Sequence, residues 1–230
     1  MLDAFDEAIW TGDGPDVVAA GGFRYPTRMA VIRLHGGGLL VWSPVTLDAN
    51  TQAQIEALGP LEHIIAPNTL HDLALSQWQT AWPQARLHGA PGLAGKRPDL
   101  RFDRELGDTP DPDWGGAVDI CLMTGNAITT EAVLFHRDSG TAIFTDLLQQ
   151  MPPGWYSGWR ALIARWDAMT GDEPAVPRKF RLAFTRRKPA RRALQRIKAW
   201  PVRNVLMAHG TPVRTNAPQF LDRAFSWLER

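Results

Sequence analysis

Hydrophobic and polar positions along this chain alternate between two periods, and the switches between them mark out its elements. Met29–Leu34 (MAVIRL) and Leu39–Ser43 (LLVWS) are short β-prone runs on either side of HGGG. They predict a hairpin whose glycines supply the positive φ of a tight turn. In LDANTQAQIEALGP, Asp48 predicts the cap of a helix running to about Leu58, stopped by Gly59-Pro60. His63–Ala66 reads as a buried strand. From Leu70 to Trp82 the residues Leu70, Leu73, Ala74, Trp78, Ala81 and Trp82 recur at helical spacing, which predicts one helix up to Pro83.

Arg86–His88 predicts a short strand, and the Gly-, Pro- and Asp-rich residues 89–116 a long surface connection. Val118–Met123, Glu131–His136 and Thr141–Thr145 are three close strands, the last two joined by the turn RDSG. Residues Ser157–Met169, Arg191–Trp200 and Pro218–Arg230 read as helices. NVLMAHG reads as a strand ending in His209-Gly210. This order is neither regular α/β alternation nor a sandwich of strands alone. It predicts an α/β class of two mixed sheets with helices outside, without internal repeats. A length of 230 residues suits one domain spanning 1–230.

Composition narrows the function classes. With 44% hydrophobic and 21% charged residues the chain is an ordinary globular one, and a net charge of +1 implies no general attraction to nucleic acid or membrane. No apolar run approaches the roughly 18 residues of a membrane span. The start, MLDAFDEAIW, carries three acids and no basic region, which argues against a secretory signal. Cys121 is the single cysteine, so no intrachain disulfide forms and a cytoplasmic location is expected. Its apolar strand predicts a buried structural thiol.

Ten tryptophans suit a core, a pocket wall or a subunit interface, which leaves a homodimer open. For Trp155, Trp159 and Trp166, core packing is preferred over a wall at an active-site mouth. The run Arg178–Lys198 holds ten of the chain's 25 Lys and Arg residues. It reads as a solvated helix face rather than a phosphate-binding surface, so nucleic acid is not expected as a partner.

Several chemistries have no support. Gly-x-Ser-x-Gly, Gly-x-x-x-x-Gly-Lys-Ser/Thr and Gly-x-Gly-x-x-Gly are all missing. HGGG without a nucleophile is a turn. What remains is a set of four polar residues where strands give way to loops: His71, Asp72, Asp146 and His209. Two histidines and two carboxylates form a ligand set suited to one divalent metal, Zn, Fe or Mn. Each also has a plainer reading. Asp72 suits a helix N-terminus, Asp146 an N-cap before LLQQ, and His209 a hydrogen-bonded structural role.

The phrases LLVWSPVTLD, HIIAPNTLHDL, TAWPQARLHGAPGL, KRPDL, EAVLFHRDSGTAIFTDL and LMAHG run from Leu39 to Gly210. In them the chain resembles the metallo-β-lactamase superfamily, and more closely a poorly characterised bacterial and plant branch of unknown function. The resemblance implies a four-layer αβ/βα sandwich. The superfamily's His-x-His-x-Asp-His loop falls on APNTLHD, with Pro67 and Thr69 at the first two His positions and His71-Asp72 at the terminal pair in reversed order. Its Gly-His motif becomes Gly125-Asn126, its bridging Asp is Asp146, and its last His is His209.

One metal site is thus erased and the other has polar counterparts throughout. The resemblance implies a mononuclear metal-dependent hydrolase acting on an ester, lactone or phosphoester of an unidentified small molecule. His71, Asp72, Asp146 and His209 would be ligands, with Glu131 or Asp146 as general base. Asn68, Asn126 and His136 would lie in or behind the pocket. The alternative is a non-catalytic binding or scaffold protein that kept the fold after losing its metal.

Overall fold

A computed structural model of the chain describes residues 1–229. Strands β1 (Leu2–Asp6), β2 (Ile9–Val18), β3 (Arg24–Arg33) and β4 (Leu39–Trp42) form an antiparallel meander. The sheet continues in parallel through β5 (Leu61–Ala66), β6 (Arg86–Gly89) and β7 (Arg104–Glu105). Helices α1 (Ala49–Leu58), α2 (Leu75–Ala81) and α3 (Leu93–Lys96) make the connections.

The second sheet runs β11 (Asn204–His209), β10 (Thr141–Gln149), β9 (Glu131–His136), β8 (Val118–Met123), with β10 and β11 parallel. Helices α4 (Gly158–Trp166), α5 (Arg178–Ala183) and α6 (Arg187–Lys198) separate its last two strands, and α7 (Ala217–Glu229) closes the chain.

Three apolar layers hold these elements together. Between the sheets, Ile9, Ile32, Leu40, Trp42 and Ile65 meet Ile120, Leu134, Ile143 and Leu206, all buried. On the outer face of the first sheet, Val31, Val41 and Ile64 pack under Ile55 of α1 and Leu75 and Trp78 of α2. On the outer face of the second, Phe135, Phe144 and Val205 pack under α6 and α7. Strands buried on both faces read as continuous apolar runs, which is why VIRL, HIIA and TAIFT stood out in the sequence. The result is the expected four-layer αβ/βα sandwich.

The structure departs from the sequence reading in five places. No element was assigned before Met29, yet β1 and β2 occupy it, because their residues alternate weakly and present only Phe5, Ile9 and Gly12 as buried. Helix α2 starts at Leu75 rather than Leu70, leaving 70–74 as irregular loop. Residues 89–116 are more than a connection. They add β7, and Trp114 enters the core between the sheets.

Strand β10 extends to Gln149, so Asp146 lies within a strand and caps no helix. Trp159 and Trp166 are 52% and 60% exposed rather than core residues, while Trp155 is half-buried and donates to the Arg24 carbonyl. Cys121 is fully buried as expected, and burial pushes its thiol up to about 11. No helix among the described residues is long and apolar enough to cross a membrane.

Two histidines lie buried inside the sandwich. His63 Nδ1 and His88 Nε2 are 3.0 Å apart beside Trp114. Burial disfavours a charge on either ring and holds both below the ordinary histidine range, His88 at about 4. A histidine lowered in the fold takes up its proton on unfolding. Stability is therefore full above about 6.5 and is lost as pH falls towards 4. Urea titrations across that window are expected to show a falling unfolding free energy, with a shallower slope in His88→Leu. An unchanged slope in the variant would show that His88 is not what titrates.

Candidate metal centre

The site begins with an irregularity in β10. Its pairing with β11 runs in register from Thr141 to Phe144 opposite Asn204 to Met207, and then resumes with Gln149 opposite His209. The intervening residues bulge out of the ladder, and their buried amides need partners elsewhere. Glu131 supplies them. Its Oε1 accepts from Thr145 N at 2.8 Å, and its Oε2 from Asp146 N at 2.8 Å and Leu147 N at 3.1 Å. The bulge aims the Asp146 carboxylate at the ends of neighbouring strands.

Two histidines meet it there. His71 Nε2 lies 3.2 Å from Asp146 Oδ2, His209 Nε2 lies 3.5 Å from Asp146 Oδ1, and the two Nε2 atoms are 3.2 Å apart. His209 Nδ1 donates to the Pro26 carbonyl of β3 at 2.6 Å, which orients the ring and points Nε2 at the cluster. His71 Nδ1 pairs with Ser43 Oγ at 2.8 Å. Ser43, at the end of β4, has φ 53°. For a non-glycine residue this left-handed conformation costs about 1 kcal/mol or more, and it is held at the site.

Asn68 ties the loop to the bulge. Its Oδ1 accepts from Leu70 N and His71 N, while its Nδ2 donates to Thr145 Oγ1 and, at 2.8 Å, to Asp146 Oδ2. This Asn turn is what keeps residues 70–74 out of helix α2 and carries His71 inward. Burial alone would raise the Asp146 carboxyl, but His71 and His209 hold it well below the usual carboxylate range.

Four expected site residues stand elsewhere. Asp72 does not join the cluster. Its carboxylate faces Lys96 Nζ at 3.0 Å and Arg97 Nη1 at 3.6 Å, because the Asn68 turn points consecutive side chains in opposite directions. Glu131 is no general base. It is fully buried, spends both oxygens on backbone amides, and has no face on the cleft. Burial, and next the Asp146 charge, push its carboxyl up to about 7 against the pull of those N–H donors.

Asn126 shapes a loop, donating to the Phe180 carbonyl and accepting from Ile128 N. His136 sits at the far end of β9, bonded to Ser139 Oγ in the buried group of Ser139, Thr141 and Asn204. Residues the sequence did not single out are Ser43 and Gln149. Gln149 donates to Asp146 Oδ1 at 3.3 Å, and its buried Oε1 has no partner. Ser43 sits in LLVWSPVTLD only as a strand residue and Gln149 lies in none of the motifs, so the bulge and the φ of Ser43 reveal them.

The donor set fits a metal ion. His71, Asp146 and His209 form the one group of this kind among the described residues. Bonds of about 2.0–2.2 Å from nitrogen and carboxylate ligands put neighbouring ligand atoms of a tetrahedral ion about 3.4 Å apart. His71 Nε2 lies 3.2 Å from both His209 Nε2 and Asp146 Oδ2, His209 Nε2 lies 3.5 Å from the other carboxylate oxygen, Oδ1, and one ligand atom from each residue falls within 4.8 Å of the others. Three protein donors leave one position open, as in catalytic rather than structural zinc sites. The cluster lies in a cleft of about 320 Å³.

No family profile matches the chain, and no curated protein does. Solved structures do match. The metallo-β-lactamase FIM-1 of Pseudomonas aeruginosa in its mono-zinc form aligns over 100% of this chain and 94% of its own, with a TM-score of 0.63 at 11% identity. A metallo-β-lactamase from Pontibacter korlensis aligns over 100% and 99%, with 0.65 at 12% identity. One from Erythrobacter litoralis, with β-mercaptoethanol in its active site, aligns over 99% and 95%, with 0.66 at 11% identity. The chain has the metallo-β-lactamase fold.

Replacing Glu131 with alanine leaves three buried amides without an acceptor, at roughly 1–3 kcal/mol each. Urea unfolding of Glu131→Ala is expected to show a loss of at least about 3 kcal/mol. A loss under about 1 kcal/mol would mean that the bulge does not depend on this carboxylate.

Proposed function

We propose that the chain is a hydrolase with a single divalent metal, zinc, iron or manganese, held by His71, Asp146 and His209. The observation that carries this reading is the clustering of two imidazole nitrogens and one carboxylate within 4.8 Å at an open cleft, each side chain oriented by a further hydrogen bond. When bound, such an ion supplies Lewis acidity, polarising a carbonyl or phosphoryl oxygen and making water nucleophilic near neutral pH.

The chain's own residues do the remaining work. Ser43 and the Pro26 carbonyl hold the two imidazole rings in place. Asn68 and Gln149 orient Asp146. Of the two carboxylates lining the cleft, Asp72 is committed to Lys96 and Arg97, so Asp146 is the one placed to accept a hydrogen bond from the attacking water and orient it. Gln149 Oε1 is buried beside it without a protein partner.

A second reading, a binding protein that kept the fold without the chemistry, is favoured by Pro67, Thr69 and Asn126 at positions where the superfamily it resembles carries histidines. One experiment separates the two. Protein purified without chelator is assayed for metal content and for hydrolysis of a panel of esters, lactones and phosphoesters, beside Asp146→Ala. The hydrolase reading expects about one ion per chain, with turnover reduced at least a hundredfold and metal lost in the variant while its circular dichroism is retained. Turnover that survives in Asp146→Ala contradicts it.

A further inference from the structure

The cleft has two chemically distinct halves. At its floor stand the polar groups already described: His71, Asp146, His209, Ser43 and Gln149. Most of the rest of its wall is apolar, including Val17 from β2, Val45 after β4, Leu70 and Leu73 on either side of His71, Ile128 before β9, and Phe180 of α5, with Asp72 and Lys179 as its charged members. Val45 and Phe180 are buried, whereas Leu70, Leu73 and Ile128 are 43%, 68% and 43% exposed. Three large aliphatic side chains left open around a single concave mouth are the pattern expected where a ligand covers them.

Charge points the same way. Lys179 is the one Lys or Arg lining the cleft among the described residues. It is already engaged, donating to Tyr25 Oη at 2.9 Å and lying 3.4 Å from Asp167 Oδ2. Recognition of a phosphate group calls for free cations, most often an arginine fork. Arg28, which reaches the backbone on either side of His209, is held by Asp13 and by the Met207 and Gly210 carbonyls. Beyond the ion proposed for its floor, the cleft therefore offers a phosphoester no free side-chain cation, and offers an uncharged chain both space and apolar contact.

We infer that the cleft seats an apolar acyl chain, which makes the substrate class a carboxylic ester of such a chain rather than a phosphoester. This rests on the hydrolase reading for the chemistry but not for the seat. The acyl carbonyl lies at the polar floor and the chain runs out past Val45 and Phe180 to the Leu70, Leu73 and Ile128 rim. Hydrolysis adds one water across the ester. The water oxygen bonds to the acyl carbon, the C–O bond breaks with its electron pair going to the leaving oxygen, and a water proton ends on that oxygen. No oxidant or reductant is required.

The test has a catalytic arm and a binding arm, both on the full chain. In the first, p-nitrophenyl acetate, butyrate and octanoate are compared with bis(p-nitrophenyl) phosphate. Each added methylene is expected to raise kcat/KM about three- to fourfold. Leu73→Asp and Ile128→Asp, at exposed positions that tolerate the change, should raise KM for the octanoate about tenfold and leave the acetate within about twofold. In the second, octanamide binding is followed by calorimetry in wild type, Asp146→Ala and Leu73→Asp.

The seat predicts binding in the first two and about tenfold weakening in the third. A flat chain-length series, preference for the phosphodiester, or octanamide that fails to bind overturns the inference. Octanamide bound and weakened by Leu73→Asp, with every ester inert, supports the seat and sinks the hydrolase reading instead.

Discussion

A buried glutamate without a face on the cleft governs the geometry of this site. Between Phe144 and Gln149 strand β10 has more residues than β11 can pair, and the surplus amides lie inside the sandwich where water cannot satisfy them. Glu131, one strand over, takes three of them on one carboxylate. Without that exchange the bulge would either straighten, turning Asp146 away from the strand ends, or leave buried donors unmet at a cost that a marginally stable fold does not sustain. The position of Asp146 is a consequence of this backbone device, and the histidines assemble around Asp146.

The surrounding parts come from both sheets. Pro26 on β3 and Ser43 at the end of β4 belong to the first, as does the Asn68 turn after β5; the bulge and His209 belong to the second. Each imidazole is tethered at Nδ1, so the two Nε2 atoms face inward together. Holding such a polar centre requires a stiff frame, and the three packed apolar layers supply it. The φ of Ser43 is the local strain that this frame tolerates at the centre.

Much of the frame was legible in the chain itself. Strands buried on both faces announce themselves as apolar runs, and Asp48 caps α1 through Thr51 N at 2.7 Å, as its position before ANTQ suggested. What stayed hidden was of two kinds. Strands β1 and β2 bury few residues, so their alternation is faint. At the site, helical periodicity from Leu70 to Ala74 was overridden by a side chain outside the pattern, Asn68, which captured two backbone amides. That override separates His71 from Asp72.

Strand-end position and the resemblance together brought His71, Asp146 and His209 to notice, and neither distinguished them from Asp72, whose partners Lys96 and Arg97 lie about 25 residues further on. The resemblance implies Glu131 as a general base, but its place depends on a bulge that no residue pattern announces. The resemblance to the metallo-β-lactamase superfamily supplied the fold, and the geometry brought His71, Asp146 and His209 into one cluster.

The most direct test of a single three-donor centre is X-ray absorption at the zinc edge of chelator-stripped protein loaded with one equivalent of Zn²⁺. The account predicts two imidazole rings and further oxygen ligands at about 2.0–2.2 Å, without sulfur and without a second metal nearby. A spectrum lacking imidazole scattering, or one showing a metal–metal vector, would contradict it.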